Sequence, residues 1–196
     1  MQKKVEFFFD FGSPYTYLAY HELRRIAETR GAQIVWRPIL LGGVFQATGN
    51  HSPAEIPAKA LYSNVDLQRW ARAYDVPFTM NPHFPINTLA LMRGAVAMQQ
   101  HGEEEFQRYL AAMFSAMFEK PRNLNNPMEI GAVLAEAGFD PMECMQAIQD
   151  TAVKDALKVA TAEAVTRGVF GVPTFFVGEE MYWGQDRLHF VDAALA

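Results

Sequence analysis

One cysteine in 196 residues, Cys144, is too few for a disulfide within the chain, a cysteine-based zinc site or a dithiol redox pair. Basic residues are also sparse, 17 Lys and Arg against 22 Asp and Glu, and they are scattered with no run that would track phosphates. With a net charge of −5, nucleic acid is not an expected partner. No apolar stretch approaches the roughly 18 to 20 uninterrupted residues that a membrane helix needs, so no membrane partner is expected. The opening MQKKVEFFFDF puts two lysines before an apolar run, but Glu6 and Asp10 interrupt it and no small-residue cleavage site follows. A cytoplasmic location is expected. The histidines His21, His83, His101 and His189 show neither helical metal spacing nor a paired acid, so no metal site is expected.

What is abundant is apolar surface. Half of the residues are hydrophobic, which suits a substantial core, and the length implies one core with a large insertion. Val5 to Phe9 reads as a strand buried on both faces. Asp10-Phe11-Gly12 ends it, and Ser13-Pro14 signals a helix start, a capping oxygen followed by a proline at the first helical position. That helix is expected to run to about Arg30, with Ile34 to Trp36 as a second strand and Arg37-Pro38 leading the chain out of the sheet.

Leu41 to Pro57 reads as a long Gly/Pro/Asn-rich loop, a candidate lid or rim. From about Tyr62 to Arg167 the periodicity is helical, with breaks at Pro77, Pro85, Pro121, Pro127 and Gly138 to Pro141. Within it, Phe106, Leu110, Met113, Phe114, Met117 and Phe118 share a helix face expected to pack in the core. Thr174 to Val177 and Met181 to Trp183 read as a hairpin, and a helix closes the chain between Asp186 and Leu195. The fold class is therefore α/β, a thioredoxin-like βαβ…ββα order with a large all-helical insertion. Residues 1–61 and 168–196 would form the thioredoxin-like domain, and 62–167 the inserted helical one.

Two local features bear on chemistry. Redox proteins of this topology carry Cys-x-x-Cys where this chain has Ser13 and Thr16, at the helix end that lowers a thiol's pKa. Val172-Pro173, directly before a strand, stands where the fold carries a cis-proline loop, although any X-Pro bond alone is cis only about 5% of the time. The backbone of Val172 could pair with an extended peptide, and glutathione is one.

These residues resemble the 2-hydroxychromene-2-carboxylate isomerases, relatives of the kappa-class glutathione transferases. The resemblance rests on FFFDFGSPYTYLA (Phe7 to Ala19), GNHSPAEIPAKALY (Gly49 to Tyr62) and FPINTLALMR (Phe84 to Arg93), with GVFGVPTF (Gly168 to Phe175) and WGQDRL (Trp183 to Leu188). It implies glutathione as cofactor, with Ser13 as the catalytic residue that hydrogen-bonds its sulfur. Asn50 and Lys59 would hold the glycine end, Val172 would pair through its backbone, and Gln185 and Asp186 would take the γ-glutamyl head, with Pro173 and Trp183 also among the cofactor-binding residues. His51, Lys59 or Asn87 would orient the carboxylate of a small aromatic substrate.

The implied reaction turns 2-hydroxychromene-2-carboxylate into trans-o-hydroxybenzylidenepyruvate. A thiolate adds, the opened adduct rotates, and the sulfur leaves unchanged. A homodimer is implied as well. A kappa-like transferase is the alternative enzyme, and a thioredoxin-fold binding module or oxidoreductase is the alternative of another class.

Overall fold

The computed structural model describes residues 3–196. Four strands form one sheet in the order β2-β1-β3-β4: β1 is Lys4–Phe9, β2 Gln33–Pro38, β3 Thr174–Val177 and β4 Glu180–Trp183. β1 pairs parallel with β2 across the helix α1 (Pro14–Arg30), and antiparallel with β3, which pairs antiparallel with β4.

Alternation along β1 builds two cores. Val5, Phe7 and Phe9 point to the larger one, where Phe7 stacks on Phe175 with ring centroids 5.2 Å apart. Phe8 points the other way and packs with Ile39, Val44, Ala164, Val169 and Phe176. An apolar run without polar alternation is what a strand covered on both faces requires.

Between β2 and β3 in the chain lie the helices of the insertion. They are α2 (Leu41–Thr48), α3 (Pro57–Ala73), α4 (Leu89–His101), α5 (Glu103–Phe118), α6 (Pro127–Glu136), α7 (Pro141–Ala147) and α8 (Thr151–Thr166). A 3-10 turn, Gln185–Arg187, leads into α9 (Leu188–Ala194). Proline occupies the first turn of α1, α3, α6 and α7, where its missing N–H costs nothing. No helix among the described residues is long and apolar enough to cross a membrane.

The expected loop from Leu41 to Pro57 is not a loop. It contains α2 and a 3-10 turn at Pro53–Glu55, and helical structure resumes at Pro57, five residues before the expected Tyr62. Gly42 and Gly43 weaken the local helix signal, but tertiary contacts override it. Leu40 N–H donates to Thr161 Oγ1 at 3.0 Å, and a Cβ on Gly43 would stand 3.2 Å from the Thr161 methyl, so the glycine lets α2 lie close on α8. Arg37 and Pro38 stay in register with Phe8 and Phe9, so the second strand ends two residues later than expected. The stripe from Phe106 to Phe118 is buried throughout, as expected of core packing.

Candidate functional site

Ser13 ends the turn after β1 in an extended conformation (φ −100, ψ 116), and its Oγ accepts the Thr16 N–H at 3.2 Å. This is an N-cap for the 17-residue α1. The side chain is buried, with its O–H directed toward Val172 O at 3.4 Å, a long and weak contact. A hydroxyl held so loosely is free to turn its proton toward an anion at the same helix end.

The facing segment carries a cis peptide bond between Val172 and Pro173, as expected. Three bonds pin that loop: Asn50 Nδ2 donates to Phe170 O at 2.8 Å, Thr174 Oγ1 to Gly171 O at 2.7 Å, and Gly184 N–H to Pro173 O at 2.9 Å. The Trp183 ring lies 4.9 Å from that of Phe170, and its Nε1 is 3.0 Å from where a Cβ on Gly171 would stand. Gly184 has a left-handed φ of 98°, and the Asp186 carboxylate occupies the space its side chain would need. Gln185 is buried and its carbonyl accepts from Tyr74 Oη at 2.9 Å, while Asp186 Oδ2 accepts from Arg187 Nη1 at 2.5 Å.

Ser13, Asn50, Val172, Pro173, Trp183, Gln185 and Asp186 thus gather around one loop, although the chain separates Ser13 from Val172 by 159 positions. Asn50 is partly committed, because its Oδ1 also accepts the His51 N–H at 2.9 Å, which leaves one amide N–H for a ligand. Among the described residues, the side chains of Lys59, His51 and Asn87 make no hydrogen bond to this group, which His51 touches only through its backbone N–H. Lys59 is exposed in the first turn of α3 and has no ion pair among the described residues. The His51 ring faces Glu55 at 3.8 Å, and Asn87 bonds Asn125 and Leu89 at 3.0 and 3.1 Å.

Sequence reasoning missed three groups near the turn. Asp10 is wholly buried, and burial raises its pKa. Tyr15, two residues after Ser13, donates to Asp66 Oδ2 on α3 at 3.0 Å, and burial before all else pushes its pKa up to about 12. His21 lies edge-on to Tyr17 and Tyr20, and burial first, then Arg24 and Arg25, pulls its pKa down to about 4. An aspartate set inside FFFDFG was the available signal for the first.

A groove of about 470 Å³ runs along the outer edge of β2, between Trp36, Arg37, Gln99 and Ala156, away from Ser13. Gln99 Nε2 already donates to the Trp36 carbonyl at 3.0 Å, and Pro38 offers no N–H. That edge is therefore obstructed at Trp36 and Pro38. Convergent hydroxyl, amide and carboxylate groups lie instead around the proline loop, and we place the candidate site there.

The DSBA-like thioredoxin domain matches residues 4–196. A curated 2-hydroxychromene-2-carboxylate isomerase of Sphingobium xenophagum is 31% identical over 200 residues, covering 100% of this chain and 99% of that protein. Glutathione S-transferase kappa 1 of Caenorhabditis elegans is 26% identical, covering 96% of this chain and 88% of that protein. A solved 2-hydroxychromene-2-carboxylate isomerase superposes with a TM-score of 0.88 at 31% identity, covering 98% of this chain and 94% of the other. With its sheet order, helical insertion and serine turn facing a cis-proline loop, the chain belongs to the 2-hydroxychromene-2-carboxylate isomerase family of DSBA-like thioredoxin proteins.

Proposed function

We propose that this protein is a glutathione-dependent isomerase that converts 2-hydroxychromene-2-carboxylate, or a close aromatic analogue, to the trans-benzylidenepyruvate isomer. The observation that carries this reading is the loosely held Ser13 hydroxyl at the start of α1, opposite the Val172–Pro173 loop. Glutathione, when bound, supplies a thiolate that adds reversibly to the substrate and leaves unchanged.

The chain's own residues have three tasks. Ser13 donates its O–H to the sulfur in place of Val172 O, and the helix end adds its positive potential. A thiol with pKa about 8.5 is only a few per cent ionised at neutral pH, and lowering it by about 1.5 units takes roughly 2 kcal/mol. A hydrogen bond to a charged group contributes about 1.5–3 kcal/mol and a helix terminus up to about 2, so the pair is sufficient without a cysteine. The Val172 and Pro173 backbone, with Asn50 and Lys59, positions the peptide. Gln185 and Asp186 receive its γ-glutamyl head, the Asp186 carboxylate suiting an α-ammonium and Trp183 walling that end. Lys59, His51 or Asn87 orients the substrate carboxylate.

Ser13→Ala is expected to abolish the thiolate absorbance of bound glutathione near 240 nm and lower kcat/KM roughly 10- to 150-fold, the worth of one charged hydrogen bond. Full retention of that absorbance would refute the role of Ser13. The kappa relative favours a second reading, transfer of glutathione to an electrophile. Product mass distinguishes them: an isomer of the substrate supports the first, a product retaining glutathione the second.

A further inference from the structure

Asp10 is wholly buried, yet no charged side chain takes part in holding it. Its Oδ1 accepts the Gly12 N–H at 2.8 Å, one peptide before Ser13, and its Oδ2 accepts the Leu41 N–H at 2.8 Å, at the first residue of α2. The Thr88 side chain, just before α4, stands beside the same carboxyl. Space around this junction is tight: a Cβ on Gly12 would meet Asp10 Oδ1 and the Thr88 methyl, both at 3.3 Å. One carboxyl therefore stitches together the serine turn, the helix that leads to Asn50 and the segment that carries Asn87.

An asparagine would keep the shape but not the bonding, because its NH2 would face an N–H donor. Among the described residues, no charged group acts on this carboxyl. α2 has no ionisable residue, and the first turn of α1 offers only Tyr15 and Tyr17, whose hydroxyls are spent on Asp66 and Pro77 O. On α4, Arg93 and His101 lie at least five residues beyond Thr88. A charge on Asp10 would thus be felt by an anion resting at Ser13, and among the described residues no cation acts on that carboxyl to absorb the interaction.

We propose that Asp10 is the positioning residue of the Ser13 turn and that its carboxyl and a sulfur held at that turn compete for negative charge. Each ionises less readily when the other is charged, and the coupling is reciprocal. This rests on Ser13 as the sulfur-holding group, and its test uses no glutathione, so the two readings fail separately.

The experiment places the sulfur in the chain. In full-length protein carrying Ser13→Cys, thiolate absorbance at 240 nm is titrated with Asp10 intact and with Asp10→Asn, and the unsubstituted protein with its single Cys144 gives the baseline. Asp10→Asn is expected to lower the pKa of the introduced thiol by about one unit. An unchanged or raised value would overturn the proposal. A second measurement needs no change at Asp10: its carboxyl carbon is followed by NMR in the Ser13→Cys protein, before and after the thiol is capped with iodoacetamide. Capping is expected to shift the Asp10 titration to lower pH, and identical curves would overturn the coupling.

Discussion

Helices α5 and α3 have nearly the same length and opposite characters. Half of α5 is buried, eight residues of sixteen, whereas α3 buries only Leu67 and Ala71 among seventeen and exposes Leu61, Tyr62 and Val65. α5 is welded to β1, the serine turn and α1 through aromatic contacts: Phe114 lies 6.2 Å from Phe9, 4.8 Å from Phe11 and 4.7 Å from Tyr20, ring centre to ring centre. α3 is moored by polar bonds near α1, Tyr15 to Asp66 among them. One helix fixes where the serine turn stands, and the other, which carries Lys59, leaves an adaptable surface beside it. Substrate range is therefore expected to vary with α3 and stability with α5.

Four changes test this contrast. Phe114→Ala should be the most damaging, costing about 3–5 kcal/mol in denaturant unfolding, since it empties the joint between β1, α1 and α5. Gly94→Ala follows at about 1–3 kcal/mol, because a Cβ on α4 would run into the Tyr109 hydroxyl, which is itself bonded to Leu91 O at 2.9 Å. A smaller effect depends on pH. With a folded pKa of about 4 against about 6.5 unfolded, His21 takes up its proton more readily when unfolded. Its contribution is complete above pH 6.5 and lost as pH falls toward 4, so His21→Gln should flatten the stability profile across that window. Asp10, with its pKa raised, acts in the opposite sense: protein stability declines as pH rises through its titration.

The smallest change should be Leu61→Ala, within about 0.5 kcal/mol, if α3 faces water. A larger loss that grows on dilution would show that a second copy covers it.

Much of this layout could be read from the sequence because its signals are local. Val5 to Phe9 announces a doubly covered strand, Ser13-Pro14 a capped helix, and Gly178-Glu179 a hairpin, each through residues adjacent in the chain. Val172-Pro173 needed the element order as well. What escaped notice depends on distant partners. Gly42 and Gly43 read as loop because the groups that hold α2, Thr161 and Asp10, lie far along the chain. Asp10 itself reads as a strand terminator, and only burial beside two backbone N–H groups shows otherwise. For Lys59, Asn87 and His51, the family motif supplied the assignment, and the fold leaves their side chains at the surface, outside the bonded cluster.

β1 lies between β2, which follows it within thirty residues, and β3, which arrives some 160 residues later. During synthesis at about 5–20 residues per second, the flank of β1 that will receive β3 waits on the order of ten seconds or more with its backbone groups unpaired. The serine turn can be shaped early, but its opposing wall is among the last parts made. Truncation or stalling before residue 174 would leave a chain with an open strand edge and without the proline loop, a ready substrate for chaperones or aggregation.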